Sequence, residues 1–431
     1  MRITTKRFRA AAAVLLVVAA GCSSSKKSSS TATTSVGAVA TSAGAAASST
    51  SAAPDRGTYT IGILSDVTGL AASGNKTSVQ GVQAGTVLAH RDGYTIKYVV
   101  GDTTSSPAGA QLAAQKLVEQ DHVFAVIAVS ALAFEAAPFL TSQGVPVLGI
   151  AEDGPEWTTA QNMFSVTGAL HTNLVATTQG QFFKMEGVTT LGSLGYSIAP
   201  ASAEAAKGVG ESAKAAGIKV GYVNPSFPFG STNVQPVALA MKSAGVDGAT
   251  ASVDPNTSYA LIAALKQVDT SLKAFLLPTG YGGDLIQAGP GALQTAQNVY
   301  FLLAYEPIEM HTAATERFTS DLTAAGVSGE PTFAMYNGYV SVGLLVQGLQ
   351  AAGPNPTRAS LISALSGIHD FTALGLYGSH HLDINDRQHI AGGVDNCSWI
   401  TKLSGSSFQL VSGADPICGT VVPGVTVSPS S

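Results

Sequence analysis

A chain of 431 residues is long enough for two domains with substantial cores. It is rich in Ala and Gly, and only 11% of its residues are charged. Its formal net charge of −5 offers no basic footprint for a nucleic acid, so that class of partner is excluded.

The chain opens with a positive segment, Arg2, Lys6, Arg7 and Arg9, followed by an apolar run over residues 10–20. That run is too short to span a bilayer. Ala19-Ala20-Gly21-Cys22 supplies the small residues that a signal peptidase needs. The tetrapeptide resembles a bacterial lipobox, although Ala19 stands where Leu is commonest. The resemblance implies that 1–22 is a lipoprotein signal peptide ending at a lipidated Cys22. Plain secretion, with Cys22 removed or inert, is the other reading. Residues 23–57 are Ser-, Thr- and Ala-rich and cannot bury enough surface to fold. As a disordered tether of about 30 residues they would hold a body roughly 30 Å from its anchor.

Residues 58–64 read as a strand. A loop over 65–75 with Gly69 and Gly74 follows, then a helix through Val79, Val82 and Val87. Residues 96–100 form the next strand. Ala113, Leu117 and Val118 mark a helix, 124–129 a strand, Ala133, Ala136, Ala137 and Leu140 a second helix, and 145–150 another strand. Strands alternating with helices of this length predict a parallel sheet covered on its faces. Ligands of such sheets collect at the carboxyl ends of the strands. Ser130-Ala131 and Ala151-Glu152-Asp153-Gly154 are therefore candidate ligand loops. Residues 164–166 close this unit, and the chain crosses over through 167–172. The pattern then repeats. A helix over 174–185 precedes strands at 189–194, 219–223, 248–253 and 274–277, which end in Gly195-Tyr196-Ser197, Asp254-Pro255 and Pro278 to Gly283. Residues 300–304 return the chain, 313–324 and 333–351 are helical, and 374–411 read as a terminal hairpin. A pair of cysteines, Cys397 and Cys418, left over in an exported chain reads as a disulfide; two unpaired buried thiols are the alternative.

The ordered series Gly101-Asp102, Ser105-Ser106-Pro107, Lys116-Leu117-Val118, Ala125-Val126-Ile127 and Gly144-Val145-Pro146-Val147-Leu148-Gly149 resembles the type I periplasmic binding proteins. More narrowly, it resembles the branched-chain amino-acid-binding family of ABC-transporter solute receptors, over roughly residues 58–411. The resemblance implies an α/β fold of two Rossmann-like lobes with parallel-sheet cores joined by a three-strand hinge. Lobe one would take 58–172 and 304–368, lobe two 173–303 and 369–415, with 416–431 as a polar tail. It further implies a monomeric, non-enzymatic protein without cofactor. Such a protein captures a small solute by hinge closure and docks on an ABC permease, here held at the membrane by a lipid anchor.

The resemblance also nominates site residues. Ala72 or Ser73 would face the ligand from the first loop. Ser130, with Ala131, matches the loop whose hydroxyl and backbone N–H hold a ligand carboxylate at a helix N-terminus; a simple helix cap is the plainer role for Ser130. Ala151 would offer its backbone, and Asp153 falls where the family usually has Thr. The Asp254 region matches a loop that often presents an aromatic side chain. Tyr281 stands where amino-acid binders carry the carboxylate that meets the ligand's ammonium. An ammonium buried without an opposing charge is costly. Asp153, Asp254 or Asp284 must then take that role, or the ligand has no α-ammonium. Tyr196, at another strand end, either caps the cleft or packs in the core. Lys76 is the one basic residue near these loops, which argues against a dianionic phosphate. An uncharged, monoanionic or zwitterionic solute with an apolar part, such as an amino acid, amide or small organic acid, fits.

Other motifs have plain explanations. Gly208-Val209-Gly210-Glu211-Ser212-Ala213 matches a dinucleotide pattern but lies inside a predicted helix, not directly after a strand. His380, His381, Asp383 and His389 could be drawn as a metal site, yet they read better as solvated polar positions of the terminal hairpin. No GxSxG, HExxH, Walker A or CxxC motif occurs. Glu152 and Asp153 are adjacent and tend to point in different directions, so they make a poor acid–base pair. Two rivals remain at this level: a sensory ectodomain on the same fold, and an α/β enzyme, for which no nucleophile–base pair or cofactor loop is found.

Overall fold

In the computed structural model, which describes residues 54–429 apart from 169, 390, 412 and 414, the first strand, β1 (Thr58–Ser65), feeds two cores. Ile61 and Ile63 enter one, and Leu64 enters the other. Beside β1 lie β2 (Thr95–Asp102) and β3 (Ala125–Val129). β3 divides in the same way, with Ala125, Ile127 and Val129 on one face and Val126 and Ala128 on the other. A strand buried on both faces must be apolar throughout, as β3 is. With β4 (Val147–Gly149) and β5 (Met163–Ser165) they form a parallel five-stranded sheet in the order β2-β1-β3-β4-β5. The signal segment, Cys22 and the tether up to residue 53 lie outside the described residues.

Helices cover both faces of this sheet. The helix Ala133–Ser142 joins the Leu64 core. The helices Ser78–Arg91 and Phe333–Ala352 join the opposite core. These two cross at glycines. A β-carbon on Gly81 would lie 2.1 Å from the Met335 carbonyl oxygen, and one on Gly338 would lie 2.3 Å from that of Ser78. No larger residue permits so close a crossing.

After a short strand, β6 (Leu174–Ala176), the second sheet is built from β7 (Thr190–Tyr196), β8 (Lys219–Phe227), β9 (Gly248–Ser252), β10 (Ala274–Leu277) and β11 (Tyr300–Leu303). These five run parallel. β12 (Cys397–Ser404) and β13 (Ser407–Leu410) add an antiparallel hairpin, giving the order β13-β12-β11-β10-β9-β7-β8. The Gly208–Ala213 motif sits within the helix Pro200–Ala215, where its glycines cannot cradle a phosphate.

Three readings need adjustment. Residues 174–176 are strand, and the helix begins only at Thr178. The terminal hairpin is confined to 397–410. Residues 380–389 are mostly turns, with Leu382 in an isolated bridge to Phe371, and each histidine there pairs with an aspartate rather than with a facing strand. His380 meets Asp395 at 2.9 Å, His389 meets Asp386 at 3.0 Å, and His381 meets Asp370. The segment 416–431 is more than a polar tail. It carries β14 (Ile417–Cys418), which pairs with β12, and β15 (Val421–Thr426), which pairs with β6. Cys397 and Cys418 are disulfide-bonded, fastening this segment to the second sheet.

The chain passes three times between the sheets, after β5, after β11 and before β12. Aromatic rings and hydrogen bonds tie these passages together. Tyr305 stacks between Tyr336 and Tyr377, with ring centroids 5.6 Å apart on each side. The Tyr377 hydroxyl donates to the Val166 carbonyl, and the Glu306 N–H donates to the Leu376 carbonyl at 2.8 Å.

Candidate functional site

The carboxyl ends of both sheets face one another across a cleft, and the two lobes meet there. The Ala201 N–H of lobe two donates to the Asp153 carbonyl of lobe one at 3.2 Å. A β-carbon on Gly74 would lie 3.5 Å from the Pro255 ring, and one on Gly230 would press into Leu70. Between these contacts lies a cavity of about 360 Å³, a common size for a small-molecule site.

Of the residues nominated from sequence, Ala131, Ala151, Asp153, Tyr196 and Asp254 line this cavity together. Ala72 and Ser73 belong to the short helix Ala72–Asn75, while the walls are taken by their neighbours Ala71, Gly74 and Asn75. Ser130 stands one step behind, 1% exposed.

The loop after β3 does not hold a free anion site. The Ser130 hydroxyl donates to Asp66 Oδ1 at 2.8 Å, and the Ala131 N–H donates to Asp66 Oδ2 at 2.9 Å. Asn75 Nδ2 donates to Oδ2 at 2.9 Å, and the Thr103 hydroxyl donates to Oδ1. Four donors thus meet the roughly four acceptor sites of a carboxylate. Asp66 is wholly buried at the end of β1. It fills the position that the resemblance assigned to a ligand carboxylate. The Ser130 hydroxyl also accepts from the Leu132 N–H at 3.1 Å, but it does not cap the helix Ala133–Ser142, whose N-cap position is Leu132 and carries no side-chain cap bond.

Tyr281 is not a cavity residue. It lies between Gly280 (φ +87°) and Gly282 (φ +62°), a backbone course that suits glycine and turns the ring into lobe two. There it packs against Phe408 with centroids 4.9 Å apart, and its hydroxyl donates to Glu309 at 2.6 Å. Burial pushes its ionisation well above the ordinary tyrosine range. Asp284, 6% exposed, is likewise absent from the walls; burial raises its carboxyl well above normal against the opposing pull of Lys76.

Asp254 lines the cavity but is internally engaged. It caps the helix Pro255–Gln267, accepting from the Thr257 N–H at 3.1 Å and the Thr257 hydroxyl at 2.7 Å. It also accepts from the Tyr196 hydroxyl. Tyr196 therefore serves both roles considered for it: it is packed beside Phe227 and Phe229, and it presents an edge to the cavity.

Asp153 is different. Among the described residues no side chain or N–H donates to its carboxylate. Burial, then repulsion from Asp66 and Glu156, pushes its ionisation up to about 8. Glu152 accepts one bond, from Asn75 Nδ2 at 3.2 Å. Burial, Asp153 and Asp66 drive it well above the carboxylate range, partly opposed by that bond. Glu156 is raised to about 7 by burial. Glu152 and Asp153 form an acidic wall on lobe one, with Glu156 behind them.

Sequence reasoning missed Asp66, Asn75, Phe229, Thr279 and Phe333, and it undervalued Glu152. Asp66 follows directly on the carboxyl end of β1, so the strand-end rule that found Ser130 and Asp153 covers it. The other wall residues depend on how the lobes close.

Among the described residues, the cavity walls carry no nucleophile–base pair. The three residues His380, Cys397 and Cys418 lie close enough to suggest a metal site, but both sulfurs are committed to the disulfide. No curated protein matches the chain in sequence. Solved structures share its fold. A solute-binding protein of an R. palustris ABC transporter in complex with 4-hydroxybenzoate superposes with a TM-score of 0.69 at 15% identity, over 84% of this chain and 98% of the other. A second R. palustris solute-binding protein, in complex with benzoate, gives 0.68 at 18%, over 85% and 99%. The substrate-binding protein LivJ of Streptococcus pneumoniae, in complex with isoleucine, gives 0.68 at 17%, over 85% and 99%. A family profile described as "Periplasmic binding protein" matches residues 58–407. With two α/β lobes, a shared cleft and that match across most of its length, the chain belongs to the periplasmic binding protein family, a family of non-catalytic solute-binding proteins.

Proposed function

We propose that this protein is the extracytoplasmic solute-binding component of an ABC importer, closing its lobes around a small organic solute with a substantial apolar part. The observation that supports this most is the cavity itself. Both lobes wall it, and Asp153 and Ala201 bond across its edge. A solute there touches both lobes only when they are closed, so binding energy shifts the hinge toward the closed form. The closed form is the shape a permease would recognise. Residues 19–22 favour a lipid anchor on Cys22, with the stretch 23–57 as the tether.

Native mass spectrometry of the purified protein tests this reading. A stoichiometric small solute should be retained and released on denaturation. Gly74→Trp should lose it, because an indole facing Pro255 wedges the lobes apart. Equal retention by this variant would contradict capture between the lobes.

A further inference from the structure

We propose that the captured solute is an organic amine: a protonated nitrogen on an apolar body, without a carboxylate. This inference deepens the capture reading above and rests on it.

The first ground is the occupied anion position. A carboxylate ligand needs the Ser130 hydroxyl, the Ala131 N–H and the helix start behind them. The Ser130 hydroxyl and the Ala131 N–H are both engaged by Asp66, which also takes Asn75 and Thr103. Its carboxylate is wholly buried and fully bonded, so a ligand would have to break four charge-assisted bonds to displace it.

The second ground is what the cavity offers. Among the described residues, its walls contain Glu152, Asp153 and Asp254 and no Lys, Arg or His. Asp254 is satisfied by Tyr196 and Thr257. Asp153 has no donor among the described residues, and Gln179, another wall residue, has an Oε1 buried without a hydrogen-bond partner. Behind Asp153, Glu156 is 6% exposed, and its Oε2 lacks a partner that meets hydrogen-bond geometry. Among the described wall residues, the unmet oxygens on Asp153 and Gln179 are acceptor positions. A cation with N–H donors completes them once Asp153 has given up its proton, whereas an anion meets a wall without a cationic side chain among the described residues. The remaining walls, including Ile150, Leu170, Val175, Val209, Phe229 and Phe333, suit an alkyl or aryl body. Relative to an amino-acid site, the anion pocket is closed from within and the charge for the ammonium comes from lobe one.

Binding has a proton signature. The groups facing Asp153 are Asp66, Glu152 and Glu156 on lobe one. Tyr196 and Asp254 face the same cavity from lobe two, where Glu204 is held by Thr172. None is cationic. Asp153, pushed up to about 8 when the site is empty, carries its proton at pH 7. An incoming ammonium keeps its own proton and forms an ion pair with the carboxylate, so the carboxyl proton leaves to solvent.

The test is calorimetry with n-alkylamines and phenylalkylamines, each beside its matching carboxylate and primary amide, in two buffers of different ionisation enthalpy. The amine is expected to bind on the order of 100-fold tighter than the matching carboxylate. It should release close to one proton at pH 7. Its affinity should rise by up to about tenfold per pH unit from 6 toward 8 and then level off. Asp153→Asn should weaken amine binding at least about tenfold and abolish proton release while unfolding at no lower a temperature. A carboxylate or amide that binds as tightly as its amine, an affinity that falls with rising pH, or no amine bound at millimolar concentration would each overturn the assignment. Recovery of a carboxylate or neutral solute by native mass spectrometry would overturn it too while leaving capture intact. A protein that retains no solute and binds none defeats both readings.

Discussion

Replacing Asp66 with Ala is the most informative single change. It removes a wholly buried carboxylate and strands four donors: the hydroxyls of Thr103 and Ser130, the Asn75 amide and the Ala131 N–H. Thr103 and Ser130 are 0% and 1% exposed and Asn75 is 7% exposed, so bulk water does not reach them directly. Each bond to a charged group contributes about 1.5–3 kcal/mol. The full sum overstates the loss, because water from the adjoining cavity can enter. A net cost of about 3–5 kcal/mol, typical of breaking one buried charged cluster, is expected. The vacated donors then form an anion site. Acetate binding there with a Kd of about 10 mM would, at about 100 mM, return about 1.4 kcal/mol. Urea unfolding of the variant and the parent, with and without acetate, reads both effects, with sodium chloride as the ionic-strength control. A loss under about 1 kcal/mol, or acetate stabilising the parent as much as the variant, would refute the reasoning that Asp66 occupies the anion position.

Other expectations follow from the same structure. Asp153 and Glu156 ionise at about 8 and about 7, above their ordinary values of 3.8 and 4.5. Between those limits the folded state binds more protons than the unfolded one, so ligand-free stability should fall as pH rises from about 5 to 8, and less steeply in Asp153→Asn; urea midpoints that rise over this range would contradict it. Gly81→Ala should destabilise by more than about 2 kcal/mol, because its β-carbon would lie 2.1 Å from the Met335 carbonyl oxygen. Gly291→Ala, with open space around it, should stay within about 0.5 kcal/mol of the parent by the same assay. Reducing the Cys397–Cys418 bridge, whose cysteines are 21 residues apart, should cost about 3 kcal/mol by the chain-entropy relation. Protection of the β6 and β15 amides from hydrogen exchange should fall with it.

Much of the fold was legible because its signals are local. β3 and β4 are short β-branched and apolar runs bounded by helical spacing and small residues, and that pattern repeats in the second lobe. Strand ends mark ligand loops, which is how Ala131, Ala151, Asp153, Tyr196 and Asp254 could be named. What the sequence hid is decided at long range. β15 pairs with β6 across some 250 residues, and no local pattern marks that partner. The resemblance places Tyr281 at the ligand cleft, but two positive-φ glycines turn it inward. The Asp66 cluster joins the segments that follow β1, β2 and β3 in lobe one, so its closure on Ser130 is visible only after the sheet is assembled. Leu382 and Ile384 are spaced as in a strand, yet the histidines around them pair with Asp395, Asp370 and Asp386, and the segment folds into turns.

The central claim is that two lobes close on one solute. Small-angle scattering during titration with the solute recovered from the protein tests it most directly. The radius of gyration should fall as sites fill, following the calorimetric isotherm to saturation, and Gly74→Trp should show no such compaction. Superimposable profiles of the empty and fully occupied protein would contradict the account.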